Sequence, residues 1–161
     1  MKHMKSVLFA HGKEGSTTGK KAKMIENNFD AYIPNLTNSF ETIDFLDDLD
    51  IIENLADNVK VMVGSSRGGA LVCQARTETR KILICPAWKN FDVMLLPYLC
   101  EDDIIIHSRK DTIVPFEDSE MLAETYGCTL IEAGHDHRMS DDETMDLIKR
   151  IVEAVLKGEK V

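Results

Sequence analysis

The chain has 161 residues, 43% hydrophobic and 29% charged, which fits one soluble globular domain with room for a sizeable core. Asp and Glu number 28 against 19 Lys and Arg, a formal charge of −9, and such a surface repels phosphate backbones and argues against a nucleic-acid partner. No apolar run is long enough to span a bilayer or to form a signal-peptide core, and the 4 cysteines lie in or beside apolar segments without C-x-x-C spacing, reading as buried free thiols of a cytoplasmic protein.

Ser6–Ala10 is an apolar run suited to a strand covered on both faces, and it ends in His11-Gly12-Lys13-Glu14-Gly15-Ser16. A helix is expected from about Thr18, with Ala22, Ile25, Phe29 and Tyr32 at helical spacing and Pro34 beyond its end. A second strand is placed near Phe40–Phe45, after which Asp47 or Asp48 caps a helix carrying Ile51, Ile52, Leu55 and Ala56. Val59–Val63 reads as the third strand. It breaks into Gly64-Ser65-Ser66-Arg67-Gly68 and then into a helix-compatible stretch running to about Thr77. G-x-S-x-G between a strand and a helix is the context of a nucleophile elbow. Small flanking residues let the backbone turn sharply and leave Ser66 strained, its hydroxyl exposed above the sheet at a helix N-terminus.

Ile82–Cys85 is the fourth strand, ending at Pro86-Ala87. The segment from Ala87 to Asp102 is too short for an inserted cap domain. Its Trp88, Phe91, Met94, Leu95, Leu96 and Tyr98 supply either an apolar substrate pocket or core packing. Ile104–His107 is the fifth strand, and Pro115 suits the first turn of a helix that ends at Gly127. Thr129–Glu132 is the sixth. Ser140-Asp141-Asp142-Glu143 reads as a capping box opening a last helix, with Ile148, Ile151, Val152 and Val155 in one stripe before Gly158. Strands alternating with helices predict an α/β fold, three-layer and doubly wound. Its six-stranded parallel sheet carries helices on both faces in a single domain over residues 1–161.

A serine hydroxyl becomes a nucleophile when a base takes its proton, and a carboxylate must fix the tautomer of that base. In a doubly wound sheet such groups gather at the carboxyl ends of the strands. Asp111 follows the fifth strand, with Asp92 after the fourth as the second candidate acid, and His135 and His137 follow the sixth. The order Ser66, Asp111, His137 is that of α/β-hydrolases. Gly134-His135-Asp136 supplies a turn ahead of His137 and favours it as the base, with His135 as the alternative. The oxyanion hole is assigned to the backbone amides of Arg67 and Lys13. His11 is expected to bond loop backbone, beside Gly12 at the pocket, and His107 to be a strand-end core histidine.

His11 to Ser16 with Gly19 and Lys20, Gly64 to Gly69, Pro86-Ala87-Trp88, the loop from Asp111 to Pro115, and Asp136-His137-Arg138-Met139 together resemble the small YqiA-like esterases of the α/β-hydrolase superfamily. The resemblance runs over nearly the whole chain and rests on block order and spacing. It implies a minimal α/β-hydrolase fold without a cap domain, and a carboxylesterase or acyl hydrolase that cleaves carboxylic esters or thioesters of small acyl substrates through an acyl-enzyme. Ser66, His137 and Asp111 would form the catalytic triad, with neither metal nor cofactor. It also favours His137, because the family's base sits in an Asp-His-Arg-like context. Arg67 departs from the pattern, which usually carries an apolar residue there, and a cation at a helix N-terminus opposes the dipole. Pairing with Glu14, contact with a substrate carboxylate, and a side chain turned to solvent all remain open for it.

Three rivals are weaker or silent on chemistry. Gly15-Ser16-Thr17-Thr18-Gly19-Lys20-Lys21 approximates a phosphate-binding loop, but Glu14 stands where the first glycine belongs and Lys21 where the magnesium-binding hydroxyl belongs. His135 and His137 with Asp136 lack a third ligand marked by spacing for a metal. A binding or scaffold protein that keeps a hydrolase fold with little activity is the alternative to the enzyme. An isologous homodimer is the default assembly.

Overall fold

The computed structural model describes residues 4–12, 16–91 and 96–161. In chain order the elements are β1 (Val7–Ala10), α1 (Lys20–Asn28), β2 (Ala31–Tyr32), α2 (Thr42–Ala56), β3 (Val61–Ser65), α3 (Arg67–Gln74), β4 (Arg80–Ile84), a 3₁₀ turn (Trp88–Phe91), β5 (Ile104–His107), α4 (Phe116–Tyr126), β6 (Thr129–Glu132) and α5 (Asp142–Leu156). The six strands form one parallel sheet in the order β2-β1-β3-β4-β5-β6. The chain steps outward from β1 to β2, then returns to place β3 on β1's other side, Ala10 opposite Gly64. At that reversal the loops leaving β1 and β3 diverge and open a crevice at the carboxyl edge of the sheet.

Successive strand residues point to opposite faces. Val7, Phe9, Val61, Val63, Ile82, Ile84, Ile104 and Ile106 pack with α1 and α5. Leu8, Ala10, Met62, Leu83 and Ile105 pack with α2, α3 and α4. Both faces are covered, so apolar residues fill the middle of the central strands, and the polar ones, Ser65, Arg80, Lys81 and His107, stand at their ends. Gly127 closes α4 in the left-handed conformation (φ 75°), the role glycine fills at helix C-termini.

The second strand differs from the sequence expectation. It is the two-residue β2, pairing Ala31 with Val7 and Tyr32 with Leu8. Phe40–Phe45 instead crosses into α2, whose N-cap is Glu41. The reason is burial: Phe45 and Asp48 are enclosed on the inner face of α2, so Asp48 is an interior helix residue rather than a cap. α3 stops at Gln74, three residues before the expected end. Pro115 takes the N-cap position of α4. The last helix is capped by Asp141, whose carboxylate accepts from the Thr144 amide, one residue later than a box opened by Ser140. Cys73, Cys85 and Cys128 are free and buried, but Cys100 is exposed. No described helix is long and apolar enough to cross a membrane.

Candidate active site

Ser66 stands between β3 and α3 with φ 55° and ψ −112°, a conformation non-glycine residues rarely adopt. The turn is clamped on its neighbour strand. The Ser66 amide donates to the Ile84 carbonyl at 2.9 Å, and the Ser66 carbonyl accepts from the amide of Ala87 at 3.0 Å. Its glycines are required by close approach. A Cβ on Gly64 would lie 2.3 Å from the Gly68 carbonyl oxygen, and one on Gly68 would lie 2.0 Å from that of Ala10. The start of α3 can therefore lie against β1 and β3 only without those side chains.

The loop after β6 brings His137 to this serine. Ser66 Oγ lies 2.8 Å from His137 Nε2, and His137 Nδ1 donates to Asp111 Oδ2 at 2.7 Å. The loop is held in place by the Met139 amide on Asp136 Oδ1 at 2.9 Å and by the Ser108 hydroxyl on the Gly134 carbonyl at 3.0 Å. Cys85 Sγ donates to the His137 carbonyl at 3.2 Å. Asp111 is fixed twice over. Its Oδ1 accepts from the amides of Ile113 and Val114, both at 2.8 Å. Burial pushes its carboxyl up, but the Val114 and Ile113 amides and His137 outweigh that and hold it below its ordinary value.

Ser66 opens into a pocket of about 760 Å³, with His11, Gly12, Phe91 and His137 on its lining. Phe40, Ile113 and Val114 add apolar surface, and Lys20, Lys21 and Arg138 line it as well.

The chain matches no protein-family model and no curated protein sequence. Solved structures do match. A Xanthomonas campestris pv. campestris protein assigned to the alpha/beta hydrolase superfamily superposes with a TM-score of 0.77 at 19% identity, over 98% of this chain and 99% of that one. The ydeN gene product of B. subtilis gives 0.71 at 20% identity, over 96% of this chain and 100% of that one. Est1E from Butyrivibrio proteoclasticus, in its form with ferulic acid bound, gives 0.72 at 15% identity, over 98% and 90%. The fold is that of a small α/β-hydrolase. Among the described residues no cap domain covers this hydrolase fold.

Within the α/β-hydrolase frame, the remaining residues singled out in the sequence fall as follows. His11 is buried and bonds backbone: its Nε2 accepts from the Leu36 amide at 3.1 Å, and its Nδ1 donates to the Gly12 carbonyl at 2.9 Å. Lys13, Glu14, Asp92, Met94 and Leu95 lie outside the described residues. Trp88 turns away from the pocket and donates its indole N–H to the Asp118 carbonyl on α4 at 3.0 Å. His135 is exposed, and its ring clusters with Asp141 and Glu143, whereas His137 groups with Asp111 and Cys85, so the two imidazoles do not converge on one metal.

Arg67 is among the residues that line the pocket, but its side chain is spent on protein partners rather than turned to solvent. It is 1% exposed and pairs with Asp48, itself 2% exposed, through Nη1 on Oδ2 at 2.6 Å. Nε donates to the Ser39 carbonyl at 2.9 Å and Nη2 to Thr37 Oγ1 at 3.0 Å. The guanidinium also lies 5.5 Å from the ring centres of both Phe45 and Phe91. The cation thus ties the wall formed by residues 37–40 to the start of α3, and the carboxylate on α2 offsets its unfavourable place at a helix N-terminus. The Arg67 amide is the first of α3 and has no partner within its helix.

His107 is buried, as a core histidine would be, but it also touches the site. Its Nε2 donates to Asp111 Oδ2 at 3.0 Å and to the Val114 carbonyl at 3.1 Å, while Ser119 Oγ donates to its Nδ1 at 2.6 Å. Burial holds this imidazole below its ordinary value, against the opposing pull of Asp111. A spacing of four residues between His107 and Asp111 was the only sign of this in the sequence. For the pair of Arg67 and Asp48, separated by 19 positions, there was none.

Proposed function

We propose that this chain is a serine hydrolase of carboxylic esters or thioesters. The observation that carries the reading is the hydrogen-bonded line from Ser66 Oγ through His137 to Asp111, 2.8 Å and 2.7 Å, at the mouth of the pocket. Ser66 Oγ attacks the acyl carbon while His137 Nε2 takes its proton, and Asp111 holds the imidazole with Nδ1–H outward from Ser66. The carbonyl oxygen, now an oxyanion, rests on the Arg67 amide at the start of α3 and on the amide of Lys13. Collapse expels the alcohol or thiol, which takes the proton back from His137 Nε2. A water then attacks the acyl-enzyme through the same base, releasing the acid and restoring Ser66.

The resemblance to YqiA-like esterases supports the same chemistry, as does the fold shared with Est1E, a protein seen with ferulic acid bound. A fluorophosphonate probe is expected to label Ser66 covalently. Short para-nitrophenyl esters of graded acyl length are expected to turn over, and Ser66→Ala to abolish both. An unlabelled Ser66 together with no turnover of any ester would refute the reading and leave a binding protein on a hydrolase fold.

A further inference from the structure

The pocket has two unlike walls, and Ser66 stands between them. On the α2 and α3 side lie Phe40 and Phe91, whose rings stack at 5.8 Å. On the α1 and α5 side lie Lys20, Lys21 and Arg138. In a chain with 28 acidic and 19 basic residues, no Asp or Glu is among the described residues lining this pocket. Asp111, behind His137, is turned inward to two imidazoles and two amides. A random patch of this surface would be acidic.

The cations are placed on a particular side of the reacting bond. Lys21 Nζ donates to the Arg138 carbonyl and Lys20 Nζ to the Ser140 carbonyl, so both ammoniums sit against the loop that presents His137. Lys20 also reaches Asp142 at 3.3 Å, an exposed pair that contributes little. Lys21 and Arg138 form no ion pair among the described residues. Burial pushes the Lys21 ammonium below its ordinary value, partly opposed by Asp136, and a cation held that way gains from an arriving anion. The leaving group must also lie on this side, because His137 Nε2 hands it a proton.

Resting on the hydrolase reading above, we propose that the natural substrate is an ester or thioester whose leaving group carries an anionic oxygen group, a carboxylate or a phosphate. Lys21 and Arg138 bind that group, with Lys20 beside them, and the acyl group lies over Phe40 and Phe91.

The test compares three butyrate esters that share one acyl group: para-butyryloxybenzoate, para-butyryloxyphenyl phosphate and the neutral para-butyryloxybenzamide. At low salt at least one anionic ester is expected to exceed the amide in kcat/KM by about tenfold or more, and that ratio to shrink toward one at about 0.5 M salt. Lys21→Met and Arg138→Met are each expected to cut the ratio severalfold. Arg138 is exposed, so its variant folds whatever Lys21→Met does. Lys23→Met, on an exposed position of α1 outside the pocket, is expected to leave the ratio within twofold. Whichever anionic ester is favoured more identifies the group as carboxylate or phosphate. The proposal is overturned if the ratio is near one, if it survives both variants, or if an acid on the acyl side (para-nitrophenyl hydrogen glutarate over para-nitrophenyl pentanoate) gives the larger preference. Steady hydrolysis of the benzamide ester with a ratio of one would sink this proposal alone, whereas an unlabelled Ser66 and three inert esters would sink the hydrolase reading.

Discussion

Asp48→Ala is the sharpest probe of how the pocket wall is held. Asp48 Oδ2 accepts from Arg67 Nη1 at 2.6 Å, Thr37 Oγ1 at 2.9 Å and the Thr37 amide at 3.0 Å. Truncation leaves the Arg67 guanidinium buried without its counter-charge, and a broken buried pair costs about 3–5 kcal/mol. In a domain of this size each kcal/mol moves the midpoint by roughly 2–4 °C, so a loss of roughly 6–20 °C in Tm is expected. Urea titration at pH 7 should return the same loss in unfolding free energy. Replacing both partners, Arg67→Met with Asp48→Leu, removes the charge problem and should recover most of the stability, to within about 2 kcal/mol of the parent. The reasoning fails if Asp48→Ala costs under about 1 kcal/mol, or if the double variant is as unstable as the two singles summed.

Four further outcomes follow from named contacts. Ser66→Ala and His137→Ala should each cut ester turnover by several powers of ten in steady-state assays, on the order of the losses seen when a triad member is removed, while His135→Ala keeps most of the rate. His107→Phe removes a donor from Asp111 Oδ2. Because His107 acts through Asp111, the loss should appear in kcat with KM little changed, and the pH profile of kcat/KM should shift with it. Burial holds the folded His107 below the unfolded value of about 6.5, so the unfolded chain binds the extra proton and stability falls as the pH drops from there; thermal melts of His107→Phe should show a shallower fall. Burial pushes the Cys73, Cys85 and Cys128 thiols up to about 12. That stabilisation is complete below the unfolded thiol value of about 8.5 and drains away as pH rises beyond it, at up to about 1.4 kcal/mol per pH unit for each thiol. Lys81, lowered to about 8 by burial, works in the opposite direction, so Lys81→Met should steepen the alkaline fall in Tm.

Most of the sheet was legible from its apolar runs. β5 and β6 occupy the residues expected of them, β3 runs two residues later than expected and β4 starts two residues earlier, and the elbow announced itself because only glycines fit where α3 meets β1 and β3. β2 was not legible. Two residues at a sheet edge carry no alternation, and Tyr32 happened to continue the helical spacing of α1. α2 was entered too late because Asp47 and Asp48 look like caps, and nothing local tells that Asp48 is reserved for a cation 19 positions away. The order Ser66, Asp111, His137 could be read because Ser66 directly follows β3 and the other two lie in the loops after β5 and β6. The basic wall could not, since Lys20, Lys21 and Arg138 meet only after α1 and the loop before α5 pack on the same face of the sheet.

The position of the crevice at the β1 and β3 reversal has an evolutionary side. Its two walls are carried by segments packed on opposite faces of the sheet, so substitutions in one need not propagate to the other. Selection, or a designer, is free to recut the surface beside Phe40 without disturbing the basic rim, and to recharge that rim without shifting the hydroxyl at its centre. A scaffold arranged this way can drift between substrates one half at a time.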